Sequence, residues 1–308
     1  MAARLPFTKV QGLGNDFVVV DLRPVSAAPA VDGAPSPQDP AVVRAVCDRH
    51  FGVGGDGVLA ILPSARGDAR MRVLNADGSE AEMCGNGIRC VAKVLYESDP
   101  ALRHSPLRIE TGAGILECAL DTTSGGAVRS VAVQMGRPRL TREEIPLEPG
   151  GTGRAVRAAI QAGGRRFQFT AVSMGNPHAV IFVDDEAADV RDLKMLAETF
   201  GPELERASAF PRRTNVEFAR IRAGEIDLVV WERGCGITLA CGTGACATLV
   251  AAELEERLPP GREVAVNLPG GQLQITVAAD YAGVRMRGPA NTVFTSELDL
   301  AALPHAIA

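Results

Sequence analysis

The nine residues C-G-N-G-I-R-C-V-A of Cys84–Ala92 decide the fold, because a close copy, C-G-T-G-A-C-A-T-L of Cys241–Leu249, occurs later in the chain. A second segment repeats in the same order: F-T-K-V-Q-G-L-G-N of Phe7–Asn15 returns as F-T-A-V-S-M-G-N of Phe169–Asn176. Self-similarity over long distances is typical of a duplicated unit. The sequence therefore predicts two halves built on one plan.

The rest of the chain is typical of short strands with few helices. Each cysteine motif opens a predicted helix, over residues 85–97 and 242–257, in which apolar residues recur on one face. Another helix is predicted within residues 39–50, after a Pro/Ala-rich loop at 24–38 to which we assign no function. Strands are predicted where β-branched runs are bounded by Gly, Pro, Asn or Asp. These runs are 16–22, 71–75, 107–111, 178–184, 215–221, 225–232, 263–268 and 273–277.

Length and charge exclude several classes of protein. The 308 residues suffice for about two domains, each with its own core. The net charge is −5 with both signs scattered along the chain, so neither nucleic acid nor a membrane surface is an expected partner. No signal peptide and no apolar stretch long enough to span a bilayer is found. A cytoplasmic location is therefore expected.

The seven cysteines are odd in number and follow no export signal, which disfavours a disulfide framework. Their C-x₅-C and C-x₄-C spacings do not match a zinc site, so no metal is expected. Five of them are interpreted as small buried hydrophobic residues, namely Cys47, Cys90, Cys118, Cys235 and Cys246.

The two repeated cysteines, Cys84 and Cys241, are placed for acid–base chemistry. A cysteine that begins a helix and precedes Gly-x-Gly lies near unpaired backbone N–H groups and the positive end of the helix dipole, which favours the thiolate. The glycines let a carboxylate approach the same N–H groups. With one sulfur on each side of a carbon, one removes a proton and the other returns a proton to the opposite face. The pattern therefore predicts a racemase or epimerase.

The lysines indicate that pyridoxal phosphate is not used. Only Lys9, Lys93 and Lys194 are available, and none lies in a Gly-rich phosphate loop or in either cysteine motif. Two helix N-termini aimed at the carboxylate beside the reacting carbon would stabilise the carbanion instead. The enzyme is therefore expected to need no cofactor.

Seven strings, in order along nearly the whole chain, resemble diaminopimelate epimerases. They are GLGNDF, LNADGSEAEMCGNGIRC, MGNPHAV, RTNVEF, WERGCGITLACGTGACA, LPGGQLQI and RGPANTVF. The resemblance implies conversion of L,L-diaminopimelate to the meso isomer, on the route to lysine and peptidoglycan, by two cysteines without pyridoxal phosphate. With the duplication, it predicts an α/β (α+β) fold of two pseudo-symmetric domains. Each is a mainly antiparallel sheet curled around a central helix, with the active site in the cleft between them.

The resemblance also assigns residues by motif. Cys84 and Cys241 match the acid–base pair. The backbone N–H groups expected to hold the carboxylate at the reacting carbon are those of Gly85, Asn86, Gly242 and Thr243. The residues that match positions around the rest of the substrate are Asn15, Asn75, Asn176, Asn215 and Arg233. The residues that match positions contacting the substrate or tuning the cysteines are His178 and Glu232.

The domain boundaries follow from the repeat. The half that carries Cys84 is predicted to span residues 1–130 and to be joined by 289–308, and the half that carries Cys241 to span 131–288. The sequence does not give the oligomeric state, and a homodimer is the assembly that we consider. One departure from the family pattern is Gly57, where many members have Gln, so no side-chain contact to the substrate is expected there.

Other functions stay open at this point. Proline and hydroxyproline racemases share the fold and the paired-cysteine plan but typically carry His after the first Cys-Gly, where this chain has Asn86. A binding protein could hold an anion at the same helix ends, and a redox sensor could use the two cysteines. Solvent exchange at an amino acid α-carbon distinguishes catalysis from both. Asn75 and His178 also fit purely structural roles in turns.

Overall fold

Mainly antiparallel strands and four α-helices make up residues 4–24, 36–184 and 190–303, the part of the chain that the computed structural model describes. Most of the predicted 24–38 loop lies outside these residues. Contacts divide the chain into unit 1, Met1–Val133 with Gly288–Ala308, and unit 2, Gln134–Arg287. Within the described ranges, no helix is long and apolar enough to cross a membrane.

The elements of unit 1 are β1 Arg4–Gly12, β2 Asn15–Asp21, α1 Pro40–Cys47, β3 Gly57–Leu62, β4 Ala69–Asn75, β5 Glu80–Ala81, α2 Gly85–Ser98, β6 Leu107–Thr111, β7 Gly114–Thr122 and β8 Val128–Gln134. Unit 2 contains β9 Ala158–Ala162, β10 Arg165–Ser173, β11 Pro177–Phe182, α3 Val190–Glu205, β12 Asn215–Arg222, β13 Glu225–Glu232, β14 Gly236–Ile237, α4 Gly242–Leu254, β15 Val264–Leu268, β16 Gly271–Val277 and β17 Val284–Gly288. The chain then returns to unit 1 as β18 Asn291–Asp299. Short 3₁₀ helices lie at Pro100–Leu102, Ala279–Tyr281 and Leu300–Ala302.

The same order of strand pairing occurs in both units. In unit 1, β2 pairs antiparallel with β1 and parallel with β3, and β4 pairs antiparallel with β3 and β5 and parallel with β6. In unit 2, β11 has the same relation to β10 and β12, and β13 to β12, β14 and β15. In unit 1, Phe17 of β2 lies opposite Gly57 of β3, and in unit 2, His178 of β11 lies opposite Asn215 of β12. Phe17 therefore corresponds to His178, and Gly57 to Asn215. Strand residues of unit 1 therefore have counterparts in unit 2.

Helices α2 and α4 each lie among the strands of their own unit. α2 contacts β1–β4, β6 and β7, and α4 contacts β10–β13 and β16. Every residue of α2 from Gly85 to Leu95 is buried, and so is nearly every residue of α4. The predicted single apolar face was therefore too narrow, because a helix covered on all sides has no solvent face.

The predicted C-terminal end of α4 was wrong by three residues. α4 ends at Leu254 rather than at residue 257. Glu255 is the C-cap, and the next residue, Glu256, has a left-handed φ of 59°, which terminates the helix.

One helix, α3, was missed. It connects the parallel strands β11 and β12, as α1 connects β2 and β3, because parallel neighbours need a crossover. Its apolar residues Leu193, Leu196, Ala197 and Leu204 are buried in the unit 2 core.

Candidate active site

Both repeated cysteines are the N-cap residues of their helices. Cys84 has an extended backbone before α2, and its Sγ accepts a hydrogen bond from the N–H of Gly87 at 3.3 Å. Cys241 does the same before α4, with its Sγ 3.3 Å from the N–H of Gly244. Each sulfur thus takes the place of the Ser or Asp oxygen of an ordinary N-cap and occupies the positive end of the helix dipole.

In unit 1, amide groups surround the sulfur. Asn15 Nδ2 donates to Asp56 Oδ2 at 2.6 Å, and this turns Asn15 Oδ1 towards Cys84 Sγ at 3.9 Å. The same Oδ1 accepts from Asn86 Nδ2 at 3.2 Å. Asn86 Oδ1 in turn accepts from the fully buried Arg89 at 3.0 Å. The Cys84 sulfur therefore faces an acceptor oxygen whose orientation is fixed.

In unit 2, a series of polar side chains leads to the sulfur. His178 Nδ1 lies 2.6 Å from Glu217 Oε1, and His178 Nε2 lies 3.1 Å from Asn176 Oδ1. Asn176 Nδ2 donates to Thr243 Oγ1 at 3.3 Å, and Thr243 Oγ1 is 3.5 Å from Cys241 Sγ. We call these five residues the Cys241 network. His178 and Glu217 are both fully buried.

The expected low pKa of the Cys241 thiol is wrong for this structure. Burial raises the pKa of Cys241 well above its usual range, and the carboxylates of Glu232 and Glu217 raise it further. The hydrogen bonds from Thr243 and from the N–H of Gly244 lower it by less. The helix N-terminus alone does not decide the ionisation of a thiol that lies among carboxylates.

The residues expected around the substrate occupy the ends of β12 and β13 in unit 2. Asn215 Nδ2 donates to the carbonyl of Pro177 at 2.9 Å, and its Oδ1 accepts from the backbone N–H of Arg233 at 2.9 Å. The Arg233 guanidinium is exposed and contacts the carbonyl of Arg212 at 3.2 Å. Glu232 accepts a short hydrogen bond from Thr238. Backbone groups thus hold Asn215 and Arg233, and the Thr238 hydroxyl holds Glu232.

The structure groups the predicted residues unevenly. Asn15, Gly85 and Asn86 lie with Cys84, and Asn176, His178, Gly242 and Thr243 lie with Cys241. Asn75 donates to Ser79 Oγ at 3.0 Å and stabilises the turn between β4 and β5. This hydrogen bond gives Asn75 a structural role in that turn.

Two polar residues next to the site were missed, Glu217 and Arg89. Glu217 lies between the apolar Val216 and Phe218, and a charged residue inside a buried strand was the available signal. Arg89 lies inside the repeated motif itself, where α4 has Cys246 five residues after its N-cap.

The remaining cysteines follow the prediction with one exception. Cys47, Cys90, Cys118 and Cys246 are buried, and burial raises the pKa of each of the first three to about 12. Cys235 is exposed, so its interpretation as a buried residue was wrong, because it lies in the turn between β13 and β14. Among the described residues, no group of three or more His, Cys, Asp or Glu could hold a metal ion.

Comparison with known proteins gives the family. The model of the diaminopimelate epimerase family matches residues 7–141 and 170–293. A diaminopimelate epimerase of Desulfitobacterium hafniense is 48% identical over 96% of this chain and 98% of its own length. That of Desulforudis audaxviator is 50% identical over 94% and 98%, respectively. Among solved structures, a probable proline racemase from Agrobacterium radiobacter has a TM-score of 0.70 at 16% identity, covering 98% of this chain and 95% of that one.

The structural likeness shows the shared fold, and the sequence likeness shows more. Identities near one half over nearly the full length of both chains extend through both cysteine motifs. The chain belongs to the diaminopimelate epimerase family, whose members are isomerases that act on diaminopimelate in lysine biosynthesis.

Proposed function

We propose that this chain interconverts L,L- and meso-diaminopimelate by a two-base mechanism without a cofactor, with Cys84 and Cys241 as the acid–base pair. The observation that carries the proposal is that both cysteines are helix N-caps at equivalent places in two units of equal strand order. A duplicated sulfur position at a helix N-terminus fits a reaction in which one group removes the α-proton and another supplies one.

The chemistry follows from what the two helix ends offer. A thiolate removes the α-proton, and the negative charge spreads into the adjacent carboxylate. The first N–H groups of a helix have no partner within the helix, so those of Gly85 and Asn86 in α2, and Gly242 and Thr243 in α4, can bind that carboxylate. The thiol of the other cysteine then delivers a proton to the opposite face, and the configuration inverts.

The two halves divide the work in this proposal. The first, residues 1–130 with 289–308, contributes Cys84, Asn15, Asn75 and Asn86. The second, 131–288, contributes Cys241, Asn176, His178, Asn215, Glu232, Arg233 and Thr243. Arg233 is exposed, so its guanidinium is available as a bidentate clamp for the distal carboxylate of the substrate. The carboxyl oxygens of Glu232 are suited to accept hydrogen bonds from the distal ammonium group.

The test is epimerisation in deuterium oxide. In a two-base reaction, the inverted product carries solvent deuterium at the α-carbon while the remaining substrate is still protiated early in the reaction. Cys84→Ala and Cys241→Ala should each abolish epimerisation and keep the far-UV spectrum of the wild type. The matched controls are Cys90→Ala and Cys246→Ala, which remove a buried thiol from the same two helices and should retain activity.

Two outcomes would overturn the proposal. Near-wild-type turnover in either Cys84→Ala or Cys241→Ala would rule out the two-base mechanism. Comparable rates on proline would place the activity with the racemases of the same fold, because proline lacks the distal carboxylate and leaves the Asn and Arg groups unpaired.

We infer in addition a homodimer in the cytoplasm. Strand β18 pairs antiparallel with β1, is exposed along most of its length and includes the exposed Val293 and Phe294. An exposed strand with apolar side chains is suited to contact with a second copy. The seven free cysteines are compatible with a reducing compartment. Sedimentation of the wild type and of Phe294→Asp tests the dimer, which the substitution should weaken.

A further inference from the structure

The buried pair His178 and Glu217 stands where unit 1 has an apolar pair. The strand registers make Phe17 the counterpart of His178 and Leu59 the counterpart of Glu217. A Cβ added at Gly87 would meet the Leu59 methyls at 3.1 and 3.2 Å, and one added at the equivalent Gly244 would meet Glu217 Oε1 at 3.0 Å. The same fold therefore packs Phe and Leu below one cysteine and His and Glu below the other. Unit 2 does not need the charged pair for packing.

A buried charged pair is expensive to maintain. Replacing such pairs with hydrophobic residues of similar size is often neutral or stabilising. Both side chains are fully buried, and Glu217 Oε2 has no hydrogen-bond partner among the described residues. A pair that costs stability at a position where the fold accepts an apolar one points to a role in function.

The pair also fixes which group donates and which accepts in each hydrogen bond of the Cys241 network. Both ring nitrogens of His178 face oxygen acceptors, Glu217 Oε1 and Asn176 Oδ1. Both contacts are satisfied only when the pair holds a proton between Nδ1 and Oε1 in addition to the one on Nε2. Burial raises the pKa of Glu217, and this favours retention of that proton.

The same order of donors and acceptors continues to the Cys241 sulfur. With Nε2–H donating to Asn176 Oδ1, the Asn176 amide presents Nδ2–H to Thr243 Oγ1, which accepts. The Thr243 hydroxyl hydrogen is left to donate to Cys241 Sγ, 3.5 Å away. Together with the N–H of Gly244, this gives the sulfur two donors, which favour the thiolate against its burial and against Glu232 and Glu217.

We propose that Glu217 is a positioning residue that fixes this order of donors and acceptors, so that the Thr243 hydroxyl acts as a hydrogen-bond donor to the Cys241 sulfur. The inference rests on the proposed acid–base role of Cys241. The alternative is a reversed network, in which His178 Nε2 carries no hydrogen, the Asn176 amide is turned round, and Thr243 donates to Asn176 instead of to sulfur.

The first test is independent of activity. The chain has only 4 histidines, so the ring nitrogens of His178 can be assigned by ¹⁵N NMR through loss of one signal set in His178→Phe. The proposal expects a protonated Nε2 and a far-downfield proton shared between Nδ1 and Glu217. A pyridine-type shift at Nε2 would show the reversed network and overturn the proposal.

The second test transplants the apolar pair of unit 1 into unit 2. His178→Phe with Glu217→Leu should keep or raise the melting temperature, leave KM within about twofold, and lower kcat by about 10- to 100-fold, the equivalent of one hydrogen bond to a charged group. The acid limb of the kcat/KM profile should move to higher pH. Activity within twofold of wild type in a folded double variant would overturn the role of the pair.

A third set keeps the proposal testable if the double variant fails to fold. Thr243→Val should lower kcat and move the pH profile as above, and Thr243→Ser, which retains the hydroxyl, should restore both. In the double variant background, Thr243→Val should add little further loss, whereas multiplicative losses would show that Glu217 acts elsewhere. Glu253→Gln, a buried carboxylate near the other end of α4, is the matched control and should leave kcat and the profile unchanged. Failure of these tests with Cys241→Ala still inactive leaves the two-base mechanism standing.

Discussion

The surroundings of the two cysteines differ far more than their backbones do. Below Cys84, α2 carries the buried cations Arg89 and Lys93, and the sulfur faces the acceptor oxygen of Asn15. Below Cys241 lie the buried His178 and Glu217, α4 carries the buried carboxyl group of Glu253 near its other end, and the sulfur faces the hydroxyl of Thr243. The N-cap geometry is shared, whereas the buried polar groups near the two thiols differ. A two-base enzyme benefits from that difference, because its two groups must be in different protonation states at the start of each turnover.

The largest expected effect concerns the buried cation of unit 1. Arg89 donates to the carbonyls of Gly85 and Pro289 and to Asn86 Oδ1 at 2.9, 3.2 and 3.0 Å. Arg89→Met leaves these buried acceptors unpaired and should lower the free energy of unfolding by about 3 kcal/mol. Cys246→Ala at the equivalent place in α4 should cost about 1 kcal/mol. Urea unfolding of both variants measures the difference, and equal losses would contradict a structural role specific to Arg89.

The second effect compares the glycines that donate to the sulfurs. A methyl group at Gly244 would lie 3.0 Å from Glu217 Oε1 and 3.2 Å from Cys241 Sγ, whereas at Gly87 the nearest atoms belong to the flexible Leu59 side chain. Gly244→Ala should therefore displace the Cys241 sulfur and lower kcat by about 100-fold. Gly87→Ala should lower it by less than about 10-fold, because Leu59 can change rotamer. Steady-state kinetics measures the loss of kcat in both variants, and a larger loss in Gly87→Ala than in Gly244→Ala would contradict this prediction.

The third effect concerns the strand position at which unit 1 has Gly57 and unit 2 has Asn215. A Cβ at Gly57 would lie 2.5 Å from the carbonyl oxygen of Leu74, a backbone atom that cannot move away easily. Gly57→Ala should thus lower the free energy of unfolding by about 2 kcal/mol. Gly125→Ala, where the nearest atom is a side-chain oxygen at 3.8 Å, is the control and should cost less than about 0.5 kcal/mol. Equal stability of the two variants would show that the β3–β4 pair adapts.

Local features of the fold were predictable because the repeat marked them. α2 begins at Gly85 as expected, since Cys84 and the following Gly-x-Gly mark an N-terminus by their chemistry. α3 went unpredicted because its Pro202 and mixed polarity weaken the helical pattern. The repeat itself contained the missing information: a crossover helix between β2 and β3 requires one between β11 and β12.

The neighbours of the two cysteines were predictable where a sequence motif includes them, and the ionisation of the thiol was not, because burial decides it. The N-cap cysteines and Asn15, Asn86, Asn176 and Thr243 could be found from sequence because they lie within or beside the repeated strings. The ionisation of Cys241 could not, because its largest cause is desolvation, followed by carboxylates distant in sequence. A local sequence motif shows neither the burial of the thiol nor the positions of these carboxylates.

The smallest expected effect concerns Glu253, which stands at the helix position where α2 has Tyr96. It is 7% exposed, nothing among the described residues hydrogen-bonds its Oε1, and burial raises its pKa to about 7. Between about pH 4.5 and 7 the unfolded chain releases this proton while the folded protein retains it. The folded state then binds more protons, so this contribution to stability is present at low pH and is lost as the pH rises through that window.

Glu253→Gln removes the titrating group, and after allowance for solvent screening the free energy of unfolding of the variant should gain about 1 kcal/mol over that of wild type between pH 5 and pH 8. Urea unfolding at the two pH values measures the gain, with the exposed Glu256→Gln as the control that should not show it. A difference between wild type and Glu253→Gln that stays constant from pH 5 to pH 8 would mean that the carboxylate of Glu253 is solvated in solution, and the difference in buried charge between α2 and α4 would then rest on the cations of α2 alone.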